Sequence, residues 1–211
     1  MRIYTFPLGP LQTNCYIIAN EETNEAIIID AGMHPGSLLD KASEYKVRAI
    51  LMTHAHFDHM GGLDEIRKKT GAPVYIHPNE QEWLQNPDLN GSSHWPMVGD
   101  AMRTERAEYE LADGDVLDLA GMSIRVLETP GHTPGGVSFL IGEHLFSGDT
   151  LFAHSIGRTD LPGGNYGQLI RSIQEKLMPL PEETHVYPGH GPETTIGFEK
   201  MHNPFIAGTL R

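Results

Sequence analysis

The chain has 211 residues, enough for one domain with a substantial core, and its 20% charged and 39% hydrophobic residues describe a folded rather than a disordered protein. A formal net charge of −13 excludes the basic patch that nucleic acid or an anionic membrane would need, and reads instead as a solubilising acidic surface. The single cysteine, Cys15, excludes an internal disulfide framework. With no apolar run of membrane-spanning length and no signal-peptide core in MRIYTFPLGPLQTN, the expected setting is the cytoplasm.

Alternating apolar stretches predict strands at residues 14–19, 25–30, 48–53, 73–77, 123–128, 136–141, 144–147 and 184–187. Helices are expected between them. Residues 37–46 put Leu38, Leu39, Ala42 and Tyr45 on one face, and residues 62–70 stop at Gly71. Residues 79–85 open on a capping asparagine with Glu82 three positions on, and residues 166–177 space Leu169, Ile173 and Leu177 by four. The polar stretch NPDLNGSSHWPMVGD, residues 86–100, reads as a long loop, either a lid or a surface excursion. Strands in two batches with helices in both halves predict layered sheets covered by helices, and no linker interrupts residues 1–211 as one domain.

The densest chemistry lies in THAHFDHMGG, residues 53–62. On a helix His54, His56 and His59 would point apart, whereas on an extended or turning backbone His54 and His56 share a side. Gly61 and Gly62 are expected to let the chain turn sharply there before a helix begins. The bend follows the apolar run AILMT, so it belongs at a strand's carboxyl edge, where open sheets place their sites. The same grammar recurs three times: RVLETPGHTPGG presents His132, HLFSGDT presents Asp149, and HVYPGHG presents His190.

Five histidines and two aspartates are too many for one tetrahedral zinc and suit two cations sharing a carboxylate. Nitrogen and carboxylate donors without thiolates fit Zn, Fe or Mn. His34, His77, His94, His144, His154, His185 and His202 match no such turn and are expected to be ordinary core or surface histidines.

H-x-H-x-D-H at residues 54–59, His132 in TPGHTPG, Asp149 in SGDT and His190 in PGHG together resemble the metallo-β-lactamase superfamily. Within it the chain is most similar to the glyoxalase II (hydroxyacylglutathione hydrolase) group, in its short single-domain bacterial form. The likeness runs from TNCYII and IIIDAG to PGHGPETT. It implies a four-layer αββα sandwich with two mixed sheets, helices on the outer faces and the metals at one edge. It assigns His54, His56 and His132 to one ion, Asp58, His59 and His190 to the other, and Asp149 to both.

The implied activity is metal-dependent cleavage of a small-molecule thioester such as S-2-hydroxyacylglutathione to a hydroxy acid and a thiol. Two divalent ions, zinc first with iron or manganese as alternatives, would generate the hydroxide that Asp58 orients. In the same group a basic residue matching Arg158 contacts the thiol portion of the substrate, although a salt bridge between loops would also explain Arg158 and Asp160. Asp30 in IIIDAG is expected either to hydrogen-bond a ligand imidazole or to close a strand end. The helical C-terminal extension of two-domain glyoxalase II enzymes, with its glutathione contacts, is not expected, since the chain ends soon after His190. Persulfide dioxygenases, which use one iron on two histidines and an aspartate, resemble the chain at GRTD. Lactonases and other ester hydrolases share the fold. A metal-binding module without turnover would show degraded ligands, and all seven are intact.

Overall fold

The segment TNCYIIAN buries every residue except its last, and EAIII every residue except its first, as strands with little solvent on either face do. The structure, a computed structural model, describes residues 1–208. It divides into two compact units, Met1–Leu111 with Leu117–Ser123, and Ala112–Val116 with the chain from Ile124 onward.

In the first unit, β1 (Arg2–Leu8), β2 (Thr13–Asn20), β3 (Glu25–Ile29), β4 (Lys46–Leu51), β5 (Val74–Ile76) and β6 (Tyr109–Glu110) lie side by side in sequence order. β1, β2 and β3 pair antiparallel, while β3 to β6 run parallel. Parallel neighbours need crossovers. These are α1 (Gly36–Ala42) between β3 and β4, and α2 (Phe57–Met60) with α3 (Leu63–Thr70) between β4 and β5. Ile17, Ile28 and Ile50 from three strands meet Leu38 of α1 and Leu63 and Ile66 of α3 in one core. Each such fully buried side chain contributes roughly 1.5–3 kcal/mol.

A second six-stranded sheet has the order β14-β13-β10-β9-β8-β7. Its members are β7 (Val116–Leu119), β8 (Met122–Glu128), β9 (Val137–Ile141), β10 (His144–Gly148), β13 (His185–Pro188) and β14 (Thr194–Thr195). β8, β9 and β10 are antiparallel, β10 and β13 parallel. A hairpin of β11 (Leu151–Phe152) and β12 (Ser155–Ile156) follows β10. Leu145, Val186, Leu169, Ile173 and Leu177 pack in the core of the second unit.

Several predicted elements are corrected. The helix expected at 37–46 stops at Ala42, because Lys46 N donates to Asn24 O and opens β4 beside β3. Residues 79–85 form two 3₁₀ turns, Pro78–Glu80 and Trp83–Gln85, rather than one helix. The loop expected at 86–100 opens on a helix, α4 (Pro87–Asn90), with Asn86 Oδ1 accepting from Asp88 N and Gly91 ending it at φ +86°. Asn-Pro is a helix-start signal, and a reading for polarity alone passes over it. Residues 166–177 are helical, as α5 (Tyr166–Ser172) continued by a π turn, Ile173–Leu177. Unpredicted are β1, whose Pro7 suits an edge strand, the short strands β6, β7, β11, β12 and β14, and α6 (Ile196–His202), capped by Thr195.

Candidate metal centre

Beyond β4 the chain bends at Thr53 and reaches His56 in an extended conformation (φ −68°, ψ 148°), which caps the single turn of α2. His54 and His56 therefore precede that turn, while Asp58 and His59 lie on it. All four are buried. The His54 ring lies 4.9 Å from His56 and 4.1 Å from His59, centroid to centroid. Donor atoms of His54 and His56, of His54 and His59, and of Asp58 and His59 approach within 4.8 Å.

The two glycines act differently from the expectation. Gly61 and Gly62 have φ −63° and −102°, ordinary for any residue. A methyl group on Gly61 would press on Met33 and on Phe57 O, and one on Gly62 would overlap Gly32 O. They permit close approach to the turn after β3, where Ala31 N donates to His59 O at 2.7 Å and Gly62 N to Ala31 O at 2.8 Å.

Asp30, buried at the end of β3 with φ +60°, organises this half-site. Its Oδ1 accepts from Thr53 N at 2.8 Å, and its Oδ2 accepts from the Thr53 hydroxyl at 2.8 Å and from His59 Nδ1 at 2.8 Å. The Thr53 proton is thus spent on Asp30. His54 Nδ1, 3.0 Å from that hydroxyl, must be the donor in its own contact. Donor counting puts a proton on Nδ1 of both His54 and His59 and leaves Nε2 as the lone-pair nitrogen of each. Thr13 Oγ1 donates to Asp58 Oδ2 at 2.7 Å. Sequence reasoning did not single out Thr13, Thr53 or Glu80, whose Oε2 accepts from Ala55 N at 3.0 Å. Cys15 Sγ accepts from Gly32 N at 3.0 Å, and burial holds its thiol well above the ordinary range, so it supplies no thiolate.

In the second unit the turn after β8 carries His132, and the ends of the parallel neighbours β10 and β13 carry Asp149 and His190. Gly189 N donates to Gly148 O at 2.8 Å and ties those two turns together. His132 Nδ1 donates to Arg158 O at 2.7 Å, which again leaves Nε2 as the lone-pair nitrogen. One oxygen of Asp149, Oδ2, lies 3.5 Å from His132 Nε2 and 3.6 Å from His190 Nε2. Gly157 passes so close that any side chain there would overlap Asp149 O.

Arg158 and Asp160 form a two-pronged ion pair within one loop, Nε to Oδ1 at 2.7 Å and Nη2 to Oδ2 at 2.8 Å, both exposed. The hydrogen bond from Arg158 holds the Asp160 carboxyl at about 2. A depressed carboxylate stabilises the fold above its unfolded value and loses that contribution as pH falls towards about 2. At so exposed a pair the contribution is small. Replacing Arg158 by alanine should return Asp160 to the ordinary carboxylate range, read by carboxyl NMR titration; an Asp160 still titrating near 2 would show another cause.

The other seven histidines lie apart from these turns. His77 caps the Pro78–Glu80 turn by accepting from Asn79 N, and His144 stacks against His185 beside Tyr187. His154 and His202 flank Phe198, and His34 and His94 are on the surface.

Both halves present imidazole nitrogens and carboxylate oxygens without thiolate, a donor set that fits Zn, Fe or Mn. Strand tips bearing these donors on two mixed sheets define a metallo-hydrolase class of protein. The chain belongs to the metallo-β-lactamase superfamily, whose family model matches residues 8–190. Among curated proteins it is 43% identical to a probable metallo-hydrolase, YqgX of Bacillus subtilis, over 99% of both chains. It is 36% identical to the hydroxyacylglutathione hydrolase GloC of Haemophilus influenzae over 98% of both. The crystal structure of the B3 metallo-β-lactamase BLEG-1 superposes with a TM-score of 0.93 at 45% identity, covering 98% of this chain and 100% of that one. TTHA1623 in a di-iron-bound form gives 0.83 at 39%, covering 96% and 100%. ETHE1 from Myxococcus xanthus gives 0.80 at 31%, covering 99% and 85%. The fold class is therefore the αββα type of the metallo-β-lactamases, as the sequence led one to expect.

Proposed function

We propose that this chain is a cytoplasmic hydrolase of small-molecule thioesters, of the S-2-hydroxyacylglutathione type, that works with two divalent ions. His54, His56 and His132 would hold one ion, Asp58, His59 and His190 the other, with Asp149 shared. Zinc is the first choice, with iron or manganese as alternatives. The observation that carries the reading is the Asp149 carboxylate, whose Oδ2 stands 3.5–3.6 Å from the ligand nitrogens of both His132 and His190. The relatedness to GloC supports the thioester, and the di-iron form of TTHA1623 supports the ion count.

Such ions, when bound, supply a Lewis acid and bring the pKa of water down to about 7. The chain supplies the rest. Asp30 and the Arg158 carbonyl hold His59 and His132 with Nε2 as ligand atom, and Thr53 does the same for His54. Thr13 sets the rotation of the Asp58 carboxylate, which orients the attacking water. A thiolate leaves a tetrahedral centre without a dedicated acid, so no serine-histidine arrangement is required. The turns lie in largely buried surroundings, which strengthens each of these polar contacts.

The second reading, a mononuclear-iron persulfide dioxygenase, has the GRTD likeness behind it and is compatible with the kinship to ETHE1. Metal analysis of the purified protein, paired with assays on S-lactoylglutathione and glutathione persulfide, separates the two. Two ions per chain with thioester cleavage are expected. One iron with oxygen consumption would overturn the proposal.

A further inference from the structure

Glu80 is fully buried, in the 3₁₀ turn that follows β5. A carboxyl group in the interior is costly unless it makes specific hydrogen bonds, and an aliphatic side chain would serve the core better. Its Oε2 accepts from the Ala55 amide at 3.0 Å. Ala55 is the residue between His54 and His56, and it too is buried.

The turn that carries Glu80 is itself anchored. Glu80 N donates to His77 O at 2.9 Å, and the next residue, Gln81, exchanges two 3.1 Å hydrogen bonds with the Ala107 backbone. Three residues beyond Glu80, the Trp83 ring lies 5.7 Å from that of His56. The stretch from His77 to Trp83 thus forms a braced cradle against one short piece of backbone, the piece that separates two histidines by a single residue.

We infer that Glu80 is a positioning residue: through the Ala55 amide it sets how His54 and His56 are presented to a cation. A side chain takes its direction from the peptide planes on either side of its Cα, so a tether on the amide of the intervening residue bears on both imidazoles at once. This inference rests on the proposed function above.

Two variants test it. Glu80→Asp draws the acceptor back by one methylene and should withdraw it from the Ala55 amide, whereas Glu80→Gln keeps an acceptor oxygen at the same reach. Removing a support of this kind weakens metal affinity by roughly 10- to 100-fold, so Glu80→Asp should lose about that much for one of the two ions, measured by zinc competition against a chromogenic chelator. Glu80→Gln should stay within about threefold of wild type on the same scale. Cobalt loading gives a second readout: the visible bands should shift in Glu80→Asp and match wild type in Glu80→Gln.

Wild-type affinity for both ions in Glu80→Asp would overturn the role of Glu80. So would equal losses in the two variants, or a loss spread over both ions that tracks a lower melting temperature of the metal-free protein. A wild type that takes up neither zinc nor cobalt would overturn both this inference and the reading it rests on. Two ions bound alongside an unaltered Glu80→Asp would overturn only the inference.

Discussion

Replacing Asp149 by alanine should lower the metal content from two ions per chain and cut kcat/KM on S-lactoylglutathione by on the order of 10³-fold or more, about 4 kcal/mol of transition-state stabilisation. The size follows from position. A single oxygen of Asp149 lies 3.5 Å from His132 Nε2 and 3.6 Å from His190 Nε2, so on the proposed assignment its loss removes the carboxylate shared by two ions. The substitution should leave the fold intact, because β10 and β13 keep their register and the Gly189 to Gly148 hydrogen bond is made by backbone alone. His94→Ala, on the surface 3₁₀ turn Ser92–His94, is the control and should change neither content nor rate. An Asp149→Ala protein with two ions and wild-type turnover would sink the shared-ligand role.

Asp30→Ala should cost about 3–5 kcal/mol of folding stability, a drop of roughly 10 °C in melting temperature for a chain of this size. Three hydrogen bonds go at once, from Thr53 N, the Thr53 hydroxyl and His59 Nδ1, and each leaves a buried donor behind. The backbone adds to the loss, since Asp30 sits at φ +60°, where alanine is strained. With Asp30 gone His59 can turn and exchange its ring proton, so metal affinity should fall by roughly 10- to 100-fold as well. Asp30→Asn keeps the left-handed preference and one acceptor oxygen and should show a smaller loss in both measurements. If denaturant titration puts Asp30→Ala within about 1 kcal/mol of wild type, the network is not what holds this half-site.

Asp30 also marks where a reading of residues alone stops. The sequence places it at the end of an apolar run, and that much is legible from IIIDAG. That its carboxylate reaches His59, 29 positions away, depends on β3 and β4 lying side by side in parallel, with the turn after β4 folding back over the end of β3. Glu80 and Thr13 are less visible still. Nothing local distinguishes them from a helix-face glutamate or a strand threonine, and their partners, Ala55 and Asp58, lie 25 and 45 positions away. Arg158 acts through a group the sequence does not point to. Its charged side chain draws attention, yet the group that touches His132 is its carbonyl oxygen, while the guanidinium pairs with Asp160.

By itself the sequence determined the donor chemistry. Seven imidazole and carboxylate donors follow apolar runs, four of them crowded into residues 54–59 and His132, Asp149 and His190 each next to a glycine, and donor type and spacing are local properties that a chain cannot disguise. It determined the strand-rich frame for the same reason, since short apolar runs bounded by turn residues are written residue by residue. Only the tertiary structure decided where elements end and how the donors are held. The helix after β3 is cut short by pairing at Lys46, and Gly61 and Gly62 serve close approach rather than a sharp turn. The tautomers of His59 and His132 follow from partners 29 and 26 positions away, and that of His54 follows from its neighbour Thr53 because Asp30 takes the Thr53 proton. Hydrogen bonds over such separations arise from packing, and packing is a property of the whole chain rather than of any short stretch of it.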